Sequence, residues 1–234
     1  MFGSALEMIS SMDEMKICFI TCVSDEELYA ESLLYLRQLE VPENMKVQFL
    51  PVRGAASMAD GYNRAMKMSE AKYKVYLHQD VLLVKRDFIW KICTIFQQPA
   101  IGLIGLIGCK KLTASGVWWD GEMLYGRVLH APEPESIVPS ICEEVTGEFC
   151  EAAVVDGIIL ATQYDLSWRA DIFDGWHFYD TAQCLEFRRH GYTVVIPQQK
   201  EDWCIHLAKQ KPLRLAYWEY QKRFLQEYGF ELLS

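Results

Sequence analysis

The chain has 234 residues and a formal net charge of -9, and 51 % of it is hydrophobic and 13 % aromatic, which is apolar material enough for one large core in a single α/β domain. The acidic balance, with no basic cluster longer than the pairs Lys110-Lys111 and Arg188-Arg189, excludes a protein that tracks nucleic-acid phosphates with its own surface charge. The longest apolar run, Ala100 to Cys109, is too short and too glycine-rich to span a bilayer.

Eight cysteines stand singly without a Cys-x-x-Cys pair, which reads as free thiols in a reducing compartment. Met1 to Met15 carries acidic residues and no basic segment leading into an apolar stretch, unlike a secretory leader or a membrane anchor. The expectation is a cytoplasmic protein, brought to a membrane peripherally if at all.

In chain order, Lys16 to Thr21 is a short apolar strand, and Asp25 to Leu39 places Leu28, Leu33, Leu36 and Leu39 at helical spacing behind acidic residues that suit a helix N-terminus. Val47 to Val52 reads as a strand, Ser57 to Ser69 as a helix and Tyr73 to Leu77 as a third strand. This β-α-β-α-β alternation predicts a mostly parallel central sheet with right-handed crossovers, flanked by helices. Asp87 to Gln98 follows as a helix and Ile101 to Ile107 as a glycine-spaced strand.

Gly116 to Val145, with Trp118, Trp119, Tyr125, Pro132, Pro134 and Pro139, predicts an irregular loop of a length that usually carries function. Val154 to Ala161 is another apolar strand. Asp180 to His190 is a helix ended at Gly191, and Tyr192 to Ile196 a strand stopped by Pro197. Pro212 to Tyr228 is an amphipathic helix expected on the outside.

The third strand stops on His78-Gln79-Asp80. An acidic residue at the carboxyl end of a buried strand lies where open α/β sheets receive ligands; the competing reading is that Asp80 caps the following turn. Thr21, Cys22 and Val23 at the end of the first strand, and Arg53 after the second, fall at the same edge of such a sheet.

These residues carry a family resemblance. A strand, then Asn63-x-Ala65-x-x-x-Ser69, then a strand ending in His78-Gln79-Asp80 resembles the nucleotide-sugar half of GT-A glycosyltransferases, in which an Asp-x-Asp signature occupies the last place. Phe173-Asp174-Gly175-Trp176-His177-Phe178-Tyr179-Asp180, followed by Leu185 to Gly191-Tyr192, is similar to the same enzymes' catalytic helix, with Asp180 at the Asp of their Glu-Asp pair. Val195-Ile196-Pro197 and then Cys204-Ile205-His206 is similar to the segment that supplies a metal-binding histidine. The three matches run in family order, closest to the glycosyltransferase-like subgroup of the family 2 superfamily.

The resemblance implies one GT-A, Rossmann-like domain, with a nucleotide-sugar half over 16–110, an acceptor and catalytic half over 111–210 and a carboxyl-terminal helix over 211–234. It implies a UDP- or GDP-linked donor held by Thr21, Cys22, Val23, Arg53, Asn63, His78, Gln79 and Asp80. A divalent ion, Mn2+ rather than Mg2+ because imidazole suits later metals, would sit on Asp80 and His206. Asp180 would be the base of an inverting transfer, with Asp174 its substitute if the register is shifted and a plain helix-cap role the competing reading. Asp156, Gly157, Trp176 and His177 would face a glycan or lipid-linked acceptor, and the Trp118-Trp119 pair in its predicted loop is a further acceptor-binding candidate; packing in the core is the competing reading for these aromatics.

Two departures stand out. His78 replaces the first acid of the signature, and Pro51-Val52-Arg53-Gly54 stands where relatives carry an acidic residue for uracil and ribose. A non-catalytic GT-A-like binding protein or partner subunit is therefore the alternative, since fold does not fix function. Joint retention of Asp80, Asp180 and His206 favours the transferase. A nucleotidylyltransferase would need a glycine-rich, cation-bearing loop after the first strand, where this chain has none.

Overall fold

The computed structural model describes residues 12–133, 135–207 and 215–233. Most of the amino-terminal segment read above as neither leader nor anchor, Pro134, and the first residues of the helix expected from Pro212 lie outside the described residues. β1 (Asp13–Val23) leads into α1 (Glu26–Leu36), β2 (Lys46–Arg53), α2 (Met58–Met68) and β3 (Ala71–Leu77). Both helices start on a side-chain cap: the Asp25 carboxylate accepts from the Glu27 and Leu28 amides, and the Ser57 hydroxyl from the Asp60 amide. β1 pairs in parallel with β2 on one side and β3 on the other, as the alternation predicts.

Beyond β3 come β4 (Val81–Leu83), α3 (Phe88–Ile95), β5 (Ile101–Gly105), β6 (Ile107–Lys111), β7 (Glu122–Glu133), β8 (Ser136–Ile141), β9 (Phe149–Ala152), β10 (Val154–Val155) and β11 (Ile159–Thr162). α4 (Tyr179–Arg189), β12 (Thr193–Pro197), β13 (Cys204–His206) and α5 (Leu215–Tyr228) complete the order. The main sheet has seven strands in the order β2-β1-β3-β11-β5-β12-β9. β2, β1, β3, β5 and β12 share one direction, and β11 and β9 run against them, so the α/β sheet is mixed, with a parallel majority. A second sheet, β10-β6-β7-β13-β4 with β8 on β7, packs beside its carboxyl edge.

Three readings change. The strand expected over Ile101 to Ile107 is two, β5 in the main sheet and β6 in the second. Val154 to Ala161 divides likewise into β10 and β11, with Asp156 and Gly157 in the break. Glycines permit the crossing: a side chain on Gly108 would collide with the Val154 carbonyl, and one on Gly105 with Val155. The region Gly116 to Val145 is largely a β-hairpin, in which β7 runs for 12 residues and Pro139 is tolerated because β8 is an edge strand.

α5 lies on the outside as expected, yet it drives Tyr217, Phe224 and Tyr228 into the core. Phe224 packs on Phe178 and Phe173 at ring separations of 5.3 and 6.5 Å, which fixes the segment before α4. On the main sheet, Lys74 is 0 % exposed, and its ammonium donates to the Asp165 carboxylate at 2.8 and 2.9 Å and to the Ala71 carbonyl at 2.7 Å.

Candidate active site

The carboxyl end of β3 turns into a constellation held by backbone pairing. Gln79 Oε1 accepts from the Ser24 and Asp25 amides at 2.8 and 2.9 Å, which ties the end of β3 to the end of β1. β13 lies antiparallel to β4 with His206 opposite Val81, and the Leu207 amide donates to the Asp80 carbonyl at 2.8 Å. Asp80 Oδ1 and His206 Nε2 are thereby brought to 3.4 Å.

Ligand atoms of His78, Asp80 and His206 all lie within 4.8 Å of one another. Burial opposes ionisation of Asp80, but the hydrogen bond and charge of His206 outweigh it and hold the carboxyl below its ordinary value. Burial, and then the neighbouring His206, push the His78 imidazole down. His78 Nε2 shares a hydrogen bond of 2.6 Å with the Tyr179 hydroxyl. His206 Nδ1 is buried without a hydrogen-bond partner.

A cavity of about 350 Å³ opens beside this cluster, and Asp156 and Asp180 belong to its lining. Asp180 is the second residue of α4, which begins after Phe178 at φ 61°, a left-handed turn that costs a non-glycine residue energy. Asp180 Oδ2 accepts from the Gly157 amide at 2.8 Å. Burial, and then the Asp156 charge, push the Asp180 carboxyl up to about 7. Both Asp156 oxygens are engaged, Oδ2 by the Trp118 indole N–H at 2.8 Å and Oδ1 by the Ile158 amide at 2.9 Å.

A smaller cavity, about 210 Å³, reaches the strand ends through Cys22, Ser24, Met58 and Asp80. His78 and Trp176 line both cavities, so the His78, Asp80, His206 cluster stands at their junction. Among the described residues, no lysine or arginine lines either one.

The glycosyltransferase-like family model matches residues 18–228. The chain belongs to that family. The fold is similar to that of the mannosyltransferase PcManGT from Pyrobaculum calidifontis, solved in complex with GDP-Man and Mn2+, at TM-score 0.56 and 12 % identity over 96 % of this chain. It is also similar to S. aureus TarS 1-349, at TM-score 0.54 and 7 % identity over 82 % of this chain. This chain spans 66 % of the first and 60 % of the second. No curated protein matches it in sequence.

Within this family member, the sequence-derived residues separate into two groups. Cys22, His78, Gln79, Asp80, Trp118, Trp119, Asp156, Trp176, His177, Asp180 and His206 line the two cavities, and Gly157 meets them through its amide. Thr21 and Val23 are buried in β1 outside the lining. Arg53 lies on the surface in a two-pronged ion pair with Glu26 at 2.6 and 2.8 Å. The Asn63 amide donates to the Trp168 carbonyl at 2.8 Å and accepts from its N–H at 2.9 Å, a bridge between α2 and the segment before α4. Asp174 faces solvent, bound to Arg223 at 2.6 Å and to the Tyr220 hydroxyl at 2.9 Å. Neither Arg53, Asn63 nor Asp174 lines either of these two cavities.

Sequence reasoning missed His130 and Tyr217. His130 opposes His206 in the parallel register of β7 with β13, ring centres 5.5 Å apart, and its only local signal is the two-residue spacing to buried Val128. Tyr217 enters from α5, whose periodicity marks it as core and says nothing of the cavity.

Proposed function

We propose that this chain transfers a sugar from a UDP- or GDP-linked donor to a hydroxyl of a glycan or lipid-linked acceptor, with a divalent ion at His78, Asp80 and His206 and with inversion at the anomeric carbon. The observation that carries the reading is the junction of two cavities: a cation-binding cluster between them, and in one of them a carboxyl pushed up to about 7. The smaller cavity, at the sheet's carboxyl edge, is the donor side. The larger, with Asp180, receives the acceptor.

The residues present fit a metal. A nucleoside diphosphate in the smaller cavity would meet no lysine or arginine among the described lining residues, so its charge needs another counter-ion. The three ligand atoms lie within 4.8 Å of one another, and His206 carries a buried Nδ1 without a hydrogen-bond partner, an orphaned polar atom at the cluster. Two imidazoles in three ligands favour Mn2+ over Mg2+. Bound there, the ion would neutralise the charge that develops on the diphosphate leaving group.

The chain's own residues do the rest. Asp180 takes the proton of the acceptor hydroxyl, and a value near 7 suits a base at neutral pH. The Gly157 amide orients its carboxylate. Asp156, held through both oxygens by the Trp118 indole and the Ile158 amide, stands beside it as the fixed charge that, after burial, raises its pKa. The acceptor hydroxyl is held against Asp180 by the aromatic walls, which also exclude water from the donor's anomeric carbon.

No described helix is long and apolar enough to cross a membrane; the cytoplasm suits eight scattered cysteines without a pairing pattern. Thermal stability of the purified chain against UDP, GDP, CMP and their sugar conjugates, each with and without Mn2+, tests the donor reading by mass action. A metal-dependent rise with one nucleotide supports it, and no rise with any overturns it. Binding without turnover would establish the non-catalytic alternative, which His78 in place of an acid favours.

A further inference from the structure

The acceptor cavity has a composition that narrows what can occupy it. Its apolar lining is largely aromatic: Trp118, Trp119, Trp176, Phe178 and Tyr217 line it, against Val117 and Ile158 as the aliphatic side chains among the described residues. The flat C–H faces of a sugar ring pack on aromatic faces and leave its hydroxyls for polar partners at the edge.

The rings are ordered for that purpose. Trp118 is locked by its indole bond to Asp156 at 2.8 Å. Trp119 stands against it edge-on at 5.6 Å and is stacked with Tyr217 at 5.8 Å and 27°, and Tyr217 in turn meets His177 at 5.4 Å. Two of the lining indoles remain open, Trp119 at 44 % and Trp176 at 52 % exposure. Large apolar rings kept at the surface around a cavity mark a binding surface.

Charge narrows the class further. The polar groups facing this cavity include the carboxyls of Asp156 and Asp180, and no described lining residue is a lysine or an arginine. A uronate, a phosphate or a sulfate placed beside Asp156 and Asp180, away from a cation at the junction, would meet like charge there.

The geometry points to an acceptor whose terminal residue is an uncharged sugar ring, stacked on Trp119 with Tyr217 behind it and presenting a hydroxyl to Asp180. The inference rests on the transferase reading for the direction of chemistry, but the subsite itself is a matter of binding.

The test is ligand-observed saturation-transfer NMR on the full chain with UDP or GDP and Mn2+ present. The probes are the methyl glycosides of glucose, galactose, mannose and N-acetylglucosamine, set against glucuronic acid and glucose 6-phosphate, with donor hydrolysis followed in parallel. At least one neutral glycoside should saturate, with the anionic sugars about tenfold or more weaker. Trp119→Ala should weaken that binding about tenfold, the size of one lost ring stack, and Trp119→Phe should recover most of it. Trp90→Ala, an exposed tryptophan on α3 outside the cavity, should change nothing.

Preference for the anionic sugars, no neutral binding at all, or an unchanged affinity in Trp119→Ala would each overturn the inference. Donor hydrolysis without Trp119-dependent sugar binding would sink the subsite alone. Trp119-dependent binding without any nucleotide binding or donor hydrolysis would sink the transferase reading and leave the subsite standing.

Discussion

The backbone N–H of Gly157 donates to Asp180 Oδ2 at 2.8 Å, so a residue without a side chain, in the break between two sheets, aims the carboxyl on α4. A methyl group at that position would collide with the Tyr179 hydroxyl and lie 2.9 Å from Asp180 Cβ. Gly157→Ala must therefore push α4 away, at a cost of about 1–3 kcal/mol for overpacking. Its kcat should fall about tenfold or more while the donor dissociation constant stays within a few-fold. A variant with wild-type kcat would show that Asp180 needs no such aim.

Asp180→Asn should reduce transfer about 10²- to 10⁴-fold with nucleotide binding nearly intact; unchanged turnover would remove Asp180 from the base role. The pH dependence has a definite sign. The carboxyl is raised from 3.8 to about 7, so between those values the folded chain binds more protons than the unfolded one. Stability then falls as pH rises through that window, and above about 7 the buried charge carries its full cost. Asp180→Asn should melt higher than wild type at pH 8, an advantage that shrinks towards pH 4. In wild type, kcat/KM should rise with pH through about 7.

Burial is the larger cause of the Asp180 shift and the Asp156 charge the second. Asp156→Asn removes the like charge and leaves the burial, so the acid limb of kcat/KM should move below 7 without reaching the ordinary aspartate range. A limb that stays in place would mean the two carboxyls do not interact.

Asp80→Ala should abolish Mn2+-dependent nucleotide binding, measured by calorimetry, because it removes the one carboxylate from a cluster otherwise made of two imidazoles. Chelation should stop transfer by the wild-type chain, and Mn2+ should restore it better than Mg2+. Full nucleotide binding in Asp80→Ala would move the metal site elsewhere.

Away from the site, Asp165→Ala leaves the fully buried Lys74 ammonium with only the Ala71 carbonyl among its three recorded contacts. An unpaired buried charge costs about 3–5 kcal/mol, which should lower the melting temperature by about 10 °C in a chain of this size. The double change Lys74→Met with Asp165→Leu should recover most of that loss, since an apolar pair of similar volume carries no charge to desolvate. Failure of the double change to recover would show that the ion pair itself specifies the local packing.

What the sequence determined by itself is what local pattern controls. The capped helices α1 and α2, the parallel trio β2-β1-β3 and the arrest of β3 at His78-Gln79-Asp80 are each written in a short window of apolar period and end signals. Motif order singled out Asp180 and His206, and both line the larger cavity. The break of Ile101 to Ile107 between two sheets was not, because both halves are equally apolar and only contact with Val154 and Val155 divides them. The hairpin of β7 and β8 read as loop because prolines and scattered aromatics mask its alternation, and with it went His130. Arg53, Asn63 and Asp174 had the right residue types in the right windows, yet Glu26, Trp168 and Arg223 claim them. Those partners are 27, 105 and 49 residues away. A side chain's role depends on which group reaches it first in space, and for such pairs only the tertiary structure decides.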